Sequence, residues 1–343
     1  QNFGEHKITD GWHSHDIMYG LMFYQSFSPF KGNQITAGYD LMKYGGKGSP
    51  IISFIRDEDH TGNPFILSEY NDSWVSMHNQ ALYTFTRQNI FQNFILSAGL
   101  RYEINQTYGQ ELIPQAGFSY HPFVMSTLKG SVSKGYRPPS IRELYFFPVA
   151  NQTLESEKIM NYELSWYQKM PGNKLSAEIS TYYWTGQNMI VKTMIAPSEP
   201  PQYQNSGEFS NKGIEGKINY QPISKLNLQA NYSYIDMDQP MPATPGQNLY
   251  FSAAYSWKKF RIYADWQLVK NLYNTDAKGA ITIVEKQYNL LGARINYKLN
   301  KFASFFGQAK NLLNEKYKIN YGYPMPGATF IFGANIKFNS VHK

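Results

Sequence analysis

Leu226-Asn-Leu-Gln-Ala-Asn-Tyr-Ser-Tyr234 alternates without a slip. Successive side chains of an extended chain point to opposite faces. Leu226, Leu228, Ala230, Tyr232 and Tyr234 therefore share one side, and Asn227, Gln229, Asn231 and Ser233 the other. The pattern recurs along the chain. From Leu175, Leu175, Ala177, Ile179 and Tyr183 oppose Ser176, Glu178 and Ser180. From Leu291, Leu291, Ala293, Ile295, Tyr297 and Leu299 oppose Arg294, Asn296 and Lys298. From Ala328, Ala328, Phe330, Phe332, Ala334, Ile336 and Phe338 oppose Thr329, Gly333, Asn335 and Lys337. A two-residue period predicts half-buried strands throughout.

These strands run to about ten residues or more, beyond the usual 5–6 and enough to cross a bilayer at a tilt. Aromatic residues make up 16% of the 343, although the chain is polar overall. A membrane barrel accommodates both, with aromatics on its outside and polar groups in its lumen. Charged groups in mid-strand also suit the outer face of a soluble sandwich, but the strand length and the aromatics gathered at strand ends favour a transmembrane barrel. In lipid every backbone polar group must be paired, so such a sheet must close on itself. No run of apolar residues has the length of a membrane helix. The absence of cysteine excludes disulfides, thiolate metal sites and cysteine nucleophiles. The net charge of +7 is spread over turns and single strand positions, as at Lys258, Lys259, Lys298 and Lys301. No basic cluster marks a nucleic-acid surface, so no nucleic-acid partner is expected.

Connections alternate in length. Short turns are expected near 28–32, 87–92, 121–124, 170–173, 221–225, 258–259 and 299–301, and longer loops near 45–72, 103–111, 135–158, 191–207, 235–246, 271–281 and 314–327. Short periplasmic turns and long outer loops are the rule for outer-membrane barrels. The pattern gives about 15 strands, from near His13 to Phe338. Bacterial single-chain barrels have even counts with both ends in the periplasm. An odd count places the first residues outside the membrane and implies strands upstream of Gln1, where no signal peptide is seen. The competing expectation is a passive porin that closes by itself with an even count.

Two stretches carry a family likeness. The first is Lys134-Gly-Tyr-Arg-Pro-Pro-Ser-Ile-Arg-Glu-Leu-Tyr145, followed by Asn151-Gln-Thr-Leu-Glu-Ser-Glu157 and Tyr162-Glu-Leu. The second is Lys310-Asn-Leu-Leu-Asn-Glu-Lys-Tyr317, then Gly322-Tyr-Pro-Met-Pro-Gly327 and the last strand. They resemble, in order, the Phe-Arg-Ala-Pro-Ser…Glu-Leu-Tyr and Asn-Pro-Asn-Leu-x-Pro-Glu segments and the closing signature of TonB-dependent outer-membrane receptors. The chain departs at Tyr136, Pro138, Gln152, Thr153 and Ser156, and Asn339 to Lys343 follow the final aromatic. The resemblance implies that residues 1–343 are the C-terminal portion of a barrel of 22 strands. It also implies a Gram-negative outer-membrane location. The plug, the TonB box and about seven first strands are not found in the chain; they would precede Gln1 or lie on another polypeptide. Expected partners are outer-membrane lipid, the N-terminal half of the same receptor, the TonB system through the plug, and a small-molecule nutrient. No cofactor and no catalytic residue is expected. The resemblance leaves the ligand open, with a siderophore-type iron chelate or cobalamin ranked first.

By the same resemblance, ligand contacts are expected at Tyr136, Arg137, Arg142 and Tyr145, with Tyr203, Tyr321, Tyr323 and Met325 from other loops. Aromatic rings stack on planar or catecholate ligands, and the arginine fork pairs with anionic chelates. The same residue types also order long loops and pair with barrel carboxylates. His13 and His15 point the same way on a strand and offer a metal or haem contact, against the plainer reading of solvated loop histidines. Met237, Met241 and Met325 suit a soft metal or simple gap filling. His78 is expected inside a strand on the lumen face with Ser76, without an acidic partner to make it catalytic.

Overall fold

The computed structural model describes residues 14–48, 74–146, 150–193, 202–276 and 281–338. The alternating segments form one antiparallel sheet of 15 strands. Its strands are β1 (Ser14–Phe27), β2 (Asn33–Gly48), β3 (Val75–Phe91), β4 (Phe94–Asn105), β5 (Gly109–Tyr120), β6 (Ser126–Arg137), β7 (Glu157–Lys169) and β8 (Leu175–Gln187). A small hairpin, β9 (Ile190–Thr193) and β10 (Gln202–Asn205), stands in the following loop. The wall continues with β11 (Phe209–Ile223), β12 (Leu226–Met237), β13 (Thr244–Trp257), β14 (Phe260–Thr275), β15 (Ile281–Lys298) and β16 (Ala303–Lys310). A second loop hairpin, β17 (Lys318–Asn320) and β18 (Tyr323–Pro324), precedes the last wall strand, β19 (Thr329–Ile336). One short helix, α1 (Ile141–Tyr145), lies between β6 and β7.

Each wall strand pairs with its sequence neighbours, so the sheet is a continuous meander of the expected strand number. β1 pairs only with β2 and β19 only with β16, leaving one free edge on each among the described residues. A self-closed pore needs those two edges joined, and here they are not. Strand ends differ from expectation where outer segments continue as hairpin ladders. The loop expected at 103–111 shrinks to residues 106–108, because β4 and β5 stay paired up to Asn105 and Gly109.

Register fixes the faces. Leu82 lies opposite Tyr102, Val132 opposite Tyr162, Ile218 opposite Ala230 and Ile262 opposite Ile295. These pairs extend into an exposed apolar band around the sheet, the face that meets lipid. The other face is polar. Arg101 reaches Asp40 at 2.6 Å and Glu103 at 2.8 Å, and Asn79 donates to Glu103 at 2.6 Å. His78 shares its side of β3 with Leu82, so it stands on the outward face, contrary to the expected lumen position. The residues that do face the lumen are its neighbours Met77 and Asn79, because the strand parity is set by Ala81 opposite Glu103.

At the short-turn end the aromatics form a girdle. Trp257 stacks on Phe260, which tilts against Tyr297, with centroids 6.0 and 4.9 Å apart. Lys258 and Lys301 lie over Trp257 and Phe302, an arrangement suited to the headgroup layer. Lys258 itself adopts φ 51° in the two-residue turn.

The apolar clusters sit under the long loops. Met77, Ile141, Leu144 and Leu154 form one, with Tyr44, Tyr108, Tyr145 and Tyr203 against it. Val269, Leu272 and Tyr288 form the other, covered by Tyr317 and Ile319. Loop residues are thus pinned onto the wall at two places.

Candidate functional site

The 138–156 loop is built from its sequence motif. Pro138 and Pro139 remove two N–H donors and favour extended backbone. Ser140 then caps α1: its hydroxyl accepts the Glu143 N–H at 3.3 Å, and the Glu143 carboxylate accepts the Ser140 N–H at 2.7 Å. This reciprocal pair is a capping box. The helix is one turn long, so its stability comes from packing. It buries Ile141 and Leu144 against Met77 of β3.

Arg137, at the top of β6, ties this turn to the next strand. Its Nε and Nη2 donate to the two oxygens of Glu157 at 2.5 and 2.8 Å, and its Nη1 donates to Glu143 at 3.0 Å. Glu157 also accepts the Ile190 N–H at 2.7 Å, which fastens the β9–β10 hairpin. Asn151 completes the knot. Its N–H donates to the Glu143 carbonyl at 2.8 Å, its side chain donates to the Tyr203 carbonyl at 2.8 Å, and its Oδ1 accepts from Thr153 N at 2.9 Å. The motif residues Arg137, Glu143, Asn151 and Glu157 therefore bind one another and hold two loops together.

β5 and β6 are hydrogen-bonded only from Gln115 opposite Ser133 downward. Pro114 has no N–H to offer, which marks the point where the ladder ends. Above it, Glu111 receives both Lys134 and Lys158, the latter at 2.9 Å.

The closing signature has the same logic. Asn311 and Asn314 both take φ 50°, a left-handed conformation that Asn tolerates better than most residues. Asn311 donates to the Glu315 and Pro326 carbonyls at 2.9 and 3.1 Å and accepts the Glu315 N–H at 2.9 Å. Asn314 accepts the Ala328 N–H at 3.0 Å. The two asparagines zip the base of the loop that presents β17 and β18. Tyr317 stacks on Tyr288 with centroids 4.5 Å apart and seats this loop on the wall.

The expected ligand residues divide by these roles. Tyr136 accepts a hydrogen bond from Ser156 at 3.3 Å. Arg137 is engaged with Glu143 and Glu157. Tyr145 and Tyr203 pack on the α1 cluster. Arg142 is exposed and interacts within the chain. Tyr321 and Tyr323 are exposed on the second loop, with Met325 half-buried beside them, its N–H on the Tyr317 carbonyl. The α1 loop and the β17–β18 loop thus form two separate groups. His13 lies outside the described residues; His15 falls on the outward side of β1 with Ile17 and Tyr19. Met237 is half-buried at the end of β12 and Met241 in the turn after it. Among the described residues, no three His, Cys, Asp or Glu side chains converge as a metal group.

Electrostatics follow burial. Burial opposes the charge on Glu143, but the Ser140 N–H and the Arg137 guanidinium outweigh it and hold the carboxyl below the usual carboxylate range. Burial, with Tyr145 and Glu143 nearby, pushes the Tyr108 phenol up. Its buried hydroxyl has no hydrogen-bond partner among the described residues. Burial likewise raises Tyr317.

A curved, open antiparallel wall with a polar inner face, an apolar outer face and pinned outer loops defines an outer-membrane barrel of the receptor class. The family model for the TonB dependent receptor-like β-barrel matches residues 5–312, and the chain belongs to that family. Vitamin B12 transporter BtuB of Vibrio cholerae serotype O1 is 24% identical over 261 residues, covering 72% of this chain and 41% of that protein. The iron-regulated outer membrane virulence protein of the same organism is 22% identical over 278 residues, covering 72% and 42%. The chain spans about two-fifths of the length of these relatives. The siderophore receptor PirA of Acinetobacter baumannii superposes with a TM-score of 0.77 at 14% identity, over 98% of this chain and 57% of that one. The ferric enterobactin receptor PfeA of Pseudomonas aeruginosa, a mutant in complex with enterobactin, gives 0.76 at 16% identity, over 95% and 55%. The copper transporter OprC gives 0.73 at 16% identity, over 95% and 57%. At these identities the structural matches establish the fold. The family's location is the Gram-negative outer membrane.

Proposed function

We propose that this chain supplies the C-terminal wall and part of the outer vestibule of an active importer for a scarce nutrient, energised through TonB. The observation that carries the reading is the pinned pair of outer loops on a wall of the receptor family. A passive pore has no need to fix Arg137, Glu143, Asn151 and Glu157 into a knot above its lumen. Upstream strands of the same receptor join the free edges of β1 and β19. A plug fills the polar lumen and relays the pull from TonB. The role is transport rather than catalysis.

A siderophore-type iron chelate or cobalamin is the favoured cargo. A cobalamin transporter among the sequence relatives, and siderophore receptors among the structural ones, support that ranking. Arg142, Tyr321 and Tyr323 are the contacts favoured by exposure, with Tyr145, Tyr203 and Met325 lining the same loops. Tyr136 and Arg137 hold the platform beneath them. His13 and His15 are a weaker contact for metal or haem. The test is growth of a deletion strain complemented with the full receptor, supplied with one nutrient at a time. Rescue by cobalamin or a single iron chelate, abolished when the proton motive force is collapsed, is the expected result. Rescue that survives the collapse would overturn energised import.

A further inference from the structure

The lumen side of β1 and β2 carries three methionines among polar residues, tyrosines and glycines. β1 and β2 run antiparallel with Gly20 opposite Met42, so Met18 and Met22 flank Met42 on the same side. That side is the lumen, because Met22 lies opposite Asp40, which Arg101 holds at 2.6 Å. Directly opposed β positions have Cβ atoms about 4.5–5.5 Å apart and diagonal ones roughly 7–8 Å, within reach of long side chains. Gly20 places no side chain between Met18 and Met22. Methionine has three rotatable bonds and a polarisable thioether, so three sulfurs can turn to one point above Gly20. They line a cleft of about 310 Å³ together with Asp40, Asn79 and Arg101.

Packing alone does not account for this choice of residue. The outward side of the same two strands uses Ile17, Leu21, Ile35 and Leu41. On the lumen side every aliphatic side chain is methionine. Met18 and Met22 are 72% and 75% exposed, so no described part of this chain covers them. A second observation points to a cation. Arg101 occupies Oδ2 of Asp40, while Oδ1 is buried and has no hydrogen-bond partner among the described residues. An unsatisfied buried acceptor in a native wall calls for an explanation such as a bound ion.

We propose that Met18, Met22 and Met42, assisted by Asp40 Oδ1, form a lumenal binding site for a soft monovalent cation of the Cu(I) or Ag(I) type. Thioethers select such ions over hard oxygen-seeking ones. The site is independent of the import reading, because binding needs neither TonB nor the outer loops.

The experiment is titration of the detergent-purified full receptor with Ag(I), which is redox-inert, read by calorimetry. The comparison is the Met18→Leu, Met22→Leu, Met42→Leu triple variant, which conserves side-chain size while removing the thioethers. Heat-modifiable migration shows that both are folded. The receptor is expected to bind one more equivalent of Ag(I) than the variant, and Ca(II) is expected to bind neither. Asp40→Asn is expected to weaken that equivalent and retain it. Equal Ag(I) stoichiometry in the receptor and the triple variant overturns the site, and the methionines are then a packing surface for another part of the receptor. Unchanged affinity in Asp40→Asn removes the carboxylate from it. Loss of import with the extra Ag(I) equivalent intact would instead count against the functional reading above.

Discussion

Replacing Arg137 with Met tests whether the motif is a knot or a ligand hook. The guanidinium joins Glu143 and Glu157, whose side chains are 14% and 15% exposed, while its own is 46% exposed. Removing one member of a fully buried charge pair costs about 3–5 kcal/mol. Solvent around Arg137 screens the loss, so roughly 1–2 kcal/mol is expected here. The cost falls on the loop platform rather than the wall, because no ladder bond of β6 or β7 involves the side chain. That corresponds to about a 5–30-fold rise in platform opening. Hydrogen exchange reads it at the Glu143, Asn151 and Ile190 amides, each bonded inside the knot. Amides of the β12–β13 ladder should be unchanged. If exchange in the loop matches that of the unmodified protein, the knot does not hold the platform. Acid should act similarly. Glu143 has a depressed folded pKa, so its contribution is complete above the ordinary carboxylate value of about 4.3 and is lost as pH falls through the depressed one. Glu143→Gln should remove that acid dependence.

Asn311→Ala should loosen the 311–328 loop by roughly 4–5 kcal/mol, combining three lost hydrogen bonds at about 1 kcal/mol each with the cost of about 1–2 kcal/mol for a left-handed alanine; Asn311→Gly should recover the backbone part, as limited proteolysis of intact cells can show. Leu164→Arg on the outward face should destabilise the barrel by about 2–4 kcal/mol, while Ser131→Arg on the lumen face should cost little, compared by urea unfolding in lipid vesicles. Gly213→Val should lower the yield of heat-modifiable protein, because a side chain there would enter the Tyr182 ring and come within 2.7 Å of the Tyr234 carbonyl. Tyr321→Ala with Tyr323→Ala should weaken nutrient binding with no change in thermal stability, since both rings are exposed; equal affinity would place the ligand elsewhere.

The wall was legible because its physics is periodic. Leu226 to Tyr234 must put one set of side chains in lipid and the other in the lumen, and a one-residue slip would reverse both. Strand number and order followed from that alternation and the turn residues. Strand ends were less legible, as at Asn105 and Gly109, because above the membrane no lipid demands an apolar face. His78 was misplaced for a related reason. It lies beside Ser76 and Gln80 near the outer end of β3, where polarity no longer separates outside from lumen, and only the pairing of Ala81 with Glu103 decides its side.

The site was legible as a motif and illegible as a function. Arg137, Glu143, Asn151 and Glu157 carry the likeness to the family, and they turn inward on one another. A residue that caps a helix, bridges two carboxylates or occupies a left-handed turn is constrained by the loop's own geometry, whatever the cargo. Asn311 and Asn314 obey the same rule in the second loop. On the import reading proposed above, the side chains left to meet a nutrient are exposed ones such as Tyr321 and Tyr323, and the fold places few demands on them. A wall of this family is therefore recognisable from the residues that build it. On the import reading proposed above, cargo is decided where the sequence is least constrained, so binding measurements on the exposed loop rings carry more information about the ligand than the motif does.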